Sequence, residues 1–193
     1  LIAAWQNAAH YYGGLEVHAS RVFEELKKEK DVEVFLAVPK FKNNAFPLRH
    51  SMQVLEIGVS AQDYFNAAME YSKKLADFCL KKGFDIIHTH DWLSLQAGVM
   101  LKHKLKWVHT HHSLWFARQF FEHNNDKIKE IELKGNEASF VFTVSELMKE
   151  ECEKRDVRVD DVVYGGPSIE LSKSAAKENK DYFLYAGRLS KAK

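Results

Sequence analysis

Short β-branched runs alternate along this chain with longer segments whose apolar residues recur every three to four positions. That alternation is how a parallel sheet flanked by helices reads. Leu1–Trp5 predicts a buried strand, and a polar and aromatic loop follows it, ending in Gly13-Gly14. From about Leu15 to Lys28, residues Leu15, Ala19, Val22, Phe23 and Leu26 share one helical face. Val32–Val38 predicts a second strand stopped by Pro39, Lys40–Ser51 a loop, and Met52–Val59 a further strand. Ala61–Lys82 predicts a long helix that turns Phe65, Ala68, Met69, Leu75, Ala76 and Cys79 inward, with Gly83 as its cap.

The rhythm continues downstream. Strands are expected at Phe84–His88, Lys106–His109, Ser139–Val144 and Asp161–Tyr164. Helices are expected at Trp92–Lys104, at Phe116–Asn136 with a break near Asn124-Asn125, and at Glu146–Lys154. After Gly165-Gly166-Pro167 the character changes, because Ser168–Lys180 is Ser, Ala, Lys and Glu with little apolar content. The expected architecture is therefore α/β, with a Rossmann-like parallel sheet and helices on both faces over residues 1–170. Residues 171–180 read as a linker, and 181–193 as the start of a second domain opened by a strand at Tyr182–Ala186. The chain starts without Met, directly on a strand, so a few residues are expected before Leu1 and more of the second domain after Lys193.

Composition narrows the classes. The chain has 193 residues, 46% hydrophobic and 28% charged, which is ordinary for a soluble globular protein. A net charge of +1 gives no reason to expect nucleic acid or an anionic membrane as the dominant partner. Cys79 and Cys152 match no metal or disulfide framework and read as reduced, small apolar residues of a cytoplasmic protein. No apolar run approaches the ~18–20 residues needed to cross a bilayer, and Leu1–Trp5 lacks the length and basic flank of a signal peptide.

Chemistry could sit in three places. In His10-Tyr11-Tyr12-Gly13-Gly14-Leu15-Glu16, paired glycines between a strand and a helix let a ligand approach the backbone and the helix N-terminus. The same residues also read as a plain glycine turn. In Ile87-His88-Thr89-His90-Asp91-Trp92, the histidines share a face of an extended chain. Were the strand to end between them, one would be buried and the other would turn into the cleft. His90 could then donate to a sugar hydroxyl or a carbonyl oxygen. Asp91 reads either as a cleft residue or as the N-cap of the next helix. The third place is Val108-His109-Thr110-His111-His112-Ser113, which brings five histidines near one sheet edge. No cysteine joins them and their spacing matches no zinc pattern, so no metal is expected.

Taken in order, these segments resemble the GT-B-fold retaining glycosyltransferases, a family group that includes bacterial and archaeal glycogen synthases. The resemblance runs from the Gly13-Gly14 loop with Glu16-Val17-His18, through Asp85-Ile86-Ile87-His88-Thr89-His90-Asp91-Trp92 and Val108-His109-Thr110-His111-His112. It continues in Phe142-Thr143-Val144-Ser145-Glu146 and in Phe183-Leu184-Tyr185-Ala186-Gly187-Arg188-Leu189. It implies the N-terminal half of a two-domain enzyme that moves a hexose, with retention, from a nucleotide-sugar to a saccharide acceptor. The His-x-His-Asp-Trp variant tilts the acceptor towards an α-glucan.

By the same resemblance, His90 contacts the transferring sugar. Gly13 and Gly14 contact the donor, and Arg188 and Lys193 neutralise the leaving diphosphate. Tyr12, Glu16, Asp91, His111 and Ser145 are the candidate acceptor-side or cleft residues. The implied co-substrate is a nucleotide-sugar such as UDP- or ADP-glucose, without a separate cofactor. The 193 residues alone are expected to be inactive, because half the cleft would lie in the second domain. Competing readings are another GT-B enzyme, such as a nucleotide-sugar epimerase or a phosphorylase-like enzyme, and a sugar- or nucleotide-binding domain without catalysis.

Overall fold

The computed structural model describes residues 1–5, 14–41, 53–118 and 125–165. Seven parallel strands form one sheet: β1 (Ile2–Ala3), β2 (Leu36–Phe41), β3 (Val54–Val59), β4 (Ile86–His90), β5 (Lys106–His111), β6 (Phe140–Thr143) and β7 (Asp161–Val162). Their order is β3-β2-β1-β4-β5-β6-β7. The order reverses between β1 and β4, and in open α/β sheets ligands bind beyond the carboxyl ends of the strands at such a switch point. The expected Rossmann-like α/β class is what the chain adopts.

The helices are α1 (Gly14–Leu26), α2 (Tyr64–Lys82), α3 (Asp91–Leu101), α4 (Trp115–Arg118), α5 (Asn125–Leu133) and α6 (Glu146–Glu153). They cover both faces, and the period-two alternation of the strands decides what each face meets. Leu1, Ala3 and Trp5 point to one side, into a core shared with Tyr71, Leu75 and Cys79 of α2, Leu95 and Leu101 of α3 and Ile128 of α5. Ile2 and Ala4 point to the other, where Ala19 and Phe23 of α1 meet Leu36 and Val38. Burial of the β1 side chains on both faces is what a central parallel strand requires.

Gly83 caps α2 as expected, at φ 73°, and its amide donates to the Cys79 carbonyl. That left-handed φ is where glycine carries no Cβ penalty. Both cysteines are free and buried, and burial pushes their thiols up to about 11 for Cys79 and about 12 for Cys152. No helix among the described residues is long and apolar enough to cross a membrane.

Several boundaries differ from the expected ones. Pro39 does not stop β2 but lies inside it, in register with Ile57 of β3. The Phe35 and Ala37 carbonyls accept from Ile2 and Ala4, so Pro39, two residues on, faces the same side, beyond the last β1–β2 pair, Ala3 with Ala37. Its missing N–H therefore interrupts no pair of that ladder. β4 does not end at His88 but runs through His90, and β5 runs through His111 rather than ending at His109. The expected linker at 171–180 and the strand at Tyr182–Ala186 lie outside the described residues.

Candidate active site

The carboxyl ends of β4 and β5 meet the start of α1 beside the switch point. Ser94 of α3 ties this corner together. Its Oγ accepts the His90 amide at 2.9 Å and lies 3.0 Å from the Ala3 carbonyl, to which it donates. The hydroxyl thus spans the crevice between β1 and β4 and fixes the backbone of His90.

Because β4 continues through both histidines, His88 and His90 stack on the same face, with ring centroids 4.3 Å apart. One is not turned away from the other, as an earlier strand end would have made it. His88 Nε2 lies 2.8 Å from Thr110 Oγ1. His90 is only 1% exposed, and its Nδ1 lies 3.0 Å from His112 Nε2. His90 Nε2 is buried without a hydrogen-bond partner among the described residues. His18 of α1 closes the group, its ring edge-on to His90 at 5.8 Å and to His112 at 4.8 Å between centroids. Gly165, after β7, comes near the same group: a Cβ built there would lie 3.9 Å from His18 Nδ1.

Burial dominates the electrostatics here. It lowers His18 to about 4, with His112 adding to the effect, and His88 to about 3, with His18 and His112 adding. His90 falls well below the usual imidazole value for the same first reason. His112 is lowered by burial too, with Asp91 pulling the other way. At neutral pH the cluster is therefore uncharged: a set of hydrogen-bonding nitrogens rather than a cationic patch.

Asp91 is not the N-cap of α3. His90 holds that position, without a side-chain capping bond. Asp91 is the first helical residue, at φ 50°, a left-handed value that aspartate tolerates better than most residues. Its carboxylate Oδ1 instead accepts the amides of His112, at 2.6 Å, and Ser113, at 3.3 Å. The side chain that could have capped its own helix is spent on locking the end of β5 against the end of β4.

The other candidates scatter. His111 is 0% exposed; strand alternation sends it to the opposite sheet face from His90, with His109 3.2 Å away. The five histidines are thus split between two faces. On the far face the Trp107 indole donates to Thr89 Oγ1 at 2.7 Å, Thr89 Oγ1 lies 2.7 Å from His109 Nδ1, and His109 Nε2 faces His111 Nδ1. Ser145 is the N-cap of α6 and accepts the Met148 amide at 3.2 Å. Glu16 is buried in the first turn of α1, and Gly14 opens that helix, exposed. Tyr12, Gly13, Arg188 and Lys193 lie outside the described residues.

His112 is one of the histidines in the third candidate segment, but neither it nor His18 is singled out as a site residue from sequence. Alternation offered a signal for His112, two residues beyond Thr110 and so on the His90 face. Nothing local marks His18, which is one polar residue on an amphipathic helix.

Comparison with known proteins agrees with this architecture. Residues 12–170 match the sequence profile of Glycosyltransferase Family 4. A D-inositol 3-phosphate glycosyltransferase of Corynebacterium jeikeium is 28% identical over 53% of this chain and 27% of its own. An uncharacterized glycosyltransferase of Methanocaldococcus jannaschii is 28% identical over 78% of this chain and 40% of its own. The chain thus spans less than half the length of these relatives. Among solved structures, sucrose-phosphate synthase of Thermosynechococcus elongatus superposes with a TM-score of 0.65 at 20% identity, covering 86% of this chain and 48% of that one. Arabidopsis thaliana UGT89C1, complexed with UDP-L-rhamnose, gives 0.56 at 14% identity over 90% and 52%. These likenesses show the fold, that of one Rossmann-like half of a GT-B glycosyltransferase. With most of its length matched by the family profile, the chain belongs to glycosyltransferase family 4.

Proposed function

We propose that the protein transfers a hexose from a nucleotide-sugar, such as UDP- or ADP-glucose, to a saccharide acceptor with retention of configuration, and that His90 touches the sugar being transferred. The observation that carries this reading is the buried Nε2 of His90 at the carboxyl end of β4, which has no partner among the described residues. A polar atom kept dry without a partner costs free energy unless a ligand completes it, and the position is the switch-point crevice where ligands of this fold bind.

A neutral His90 can give or take a hydrogen bond with a sugar hydroxyl, but it cannot offset the charge that builds on a departing diphosphate. That task falls to cations, and the family motif assigns it to Arg188 and Lys193. Fixed positive charge aimed at the leaving group lowers the barrier electrostatically. Gly13 and Gly14, before α1, would let the donor approach the backbone and helix N-terminus. Tyr12, Glu16, Asp91 and Ser145 would then act as acceptor-side residues, of which Asp91 has the clearest positioning role, through His112; His111, fully buried on the opposite sheet face, is left out of that set.

The test is transfer of labelled hexose from UDP-glucose or ADP-glucose to oligosaccharide acceptors by the full-length protein. His90→Ala is expected to lower turnover by about 100-fold or more, with far less change in nucleotide affinity. Near-wild-type turnover in that variant would remove His90 from the reaction centre. Hexose epimerised without transfer would replace the reading with an epimerase.

A further inference from the structure

We propose that His18, His90 and His112 together bind one divalent cation of borderline softness, Zn²⁺ or a metal of like preference, at the carboxyl end of β4. Each residue offers one ring nitrogen, and these three atoms lie within 4.8 Å of one another. The His90 Nδ1 and His112 Nε2 pair is already at 3.0 Å. Zinc–imidazole bonds of ~2.0–2.1 Å place two tetrahedral ligands roughly 3.3–3.4 Å apart. The close pair therefore opens by a few tenths of an ångström, and the widest closes by roughly 1.5 Å, within reach of side-chain torsions.

Between His90 Nδ1 and His112 Nε2 there is room for one proton, and a cation would take its place. His90 then carries its own proton on Nε2, the atom that has no partner among the described residues. The ligand set is imidazole only, with no thiolate and no carboxylate. That set suits zinc, copper, nickel or cobalt, and not magnesium or calcium, which prefer oxygen. Three protein ligands leave a fourth position open to water.

The supporting shell is also present. Asp91 does not ligate, but it holds the His112 and Ser113 amides, and Ser94 holds the His90 amide. These contacts fix the backbone from which the His90 and His112 rings project. The site is read from ring positions alone and stands or falls separately from the proposed transfer reaction.

The test uses the untagged full-length protein. Co²⁺ is added while the visible absorption is followed, and Zn²⁺ binding is measured by calorimetry. The expected result is one cation per chain, with the intense bands of four- or five-coordinate cobalt. His18→Gln and His112→Gln should each weaken binding by about tenfold or more. His18 is only half-buried on α1, so its variant keeps the test decisive if His112→Gln folds poorly. His103→Gln, exposed beyond α3, should change nothing. Absence of binding, a weak octahedral cobalt spectrum, an unchanged affinity in His18→Gln, or loss with His103→Gln would each overturn the site.

Discussion

Replacing Gly98 by alanine sets two effects of opposite sign against each other. Gly98 lies inside α3, and in an exposed helix the exchange would stabilise by ~0.8–1.0 kcal/mol. Here, however, the new methyl would sit 2.6 Å from Trp107 Cδ1 and closer still to Nε1 and Cε2. Trp107 is fully buried and tethered through its indole N–H to Thr89, so the ring cannot swing into solvent. Overpacking of this kind costs about 1–3 kcal/mol. Displacing the indole also strains or breaks a buried hydrogen bond, adding roughly 1–2 kcal/mol. The clash wins, and Gly98→Ala is expected to destabilise by about 1–4 kcal/mol after the helix gain is subtracted.

Denaturant unfolding followed by circular dichroism measures the shift. The decisive control is the same change in a Trp107→Phe background, because the three crowded atoms belong to the pyrrole part of the indole, which phenylalanine lacks. There Gly98→Ala should become neutral or stabilising, a coupling of about 2 kcal/mol or more between the two sites. Stabilisation by Gly98→Ala in the wild-type chain, or an undiminished cost in the Trp107→Phe background, would refute the reasoning.

Acid should act on His18, His88, His90, His109 and His112. Their folded values lie below the ~6.5 of an unfolded histidine, so the unfolded state binds protons first. Stability is therefore complete above that value and falls as pH drops, down to about 4 for His18 and about 3 for His88. Each histidine that stays neutral at pH 5 removes about 2 kcal/mol, and denaturant midpoints in the presence of a chelator should fall steeply from pH 6.5 to 4. A flat profile over that range would contradict the burial described. At Asp91, alanine removes the acceptor for two amides and is strained at φ 50°, for a loss of about 2–4 kcal/mol. Asparagine keeps one acceptor oxygen and tolerates that φ, so Asp91→Asn should retain most of the stability. Equal midpoints for the two variants would sink the assignment.

The fold was readable because its signals are local and redundant. Apolar spacing in α1 and α2 and the glycine after Lys82 each speak for themselves. The site was less readable because its geometry depends on parity and on distant neighbours. A two-residue error in where β4 ends decides whether His90 lies along the strand or turns away from it. In β5, parity sends His111 to the far face and leaves His112 as the partner of His90. The arrival of His18 depends on how α1 packs against the sheet, about which residues 14–26 carry no local instruction. Pro39 misled for a related reason: a proline breaks a strand only where its amide has a partner to lose.

The left-handed Asp91 also has a consequence in time. The amides that stabilise its conformation belong to residues 21 and 22 positions downstream, so they arrive only once β5 has docked on β4. A nascent chain that has formed β4 and α3 but not β5 carries His90 without the lock that aligns it with His112. The histidine cluster therefore matures only after β5 has docked. Its ring geometry, read by the resonances of His90 and His112, would report that docking more strictly than helix content does.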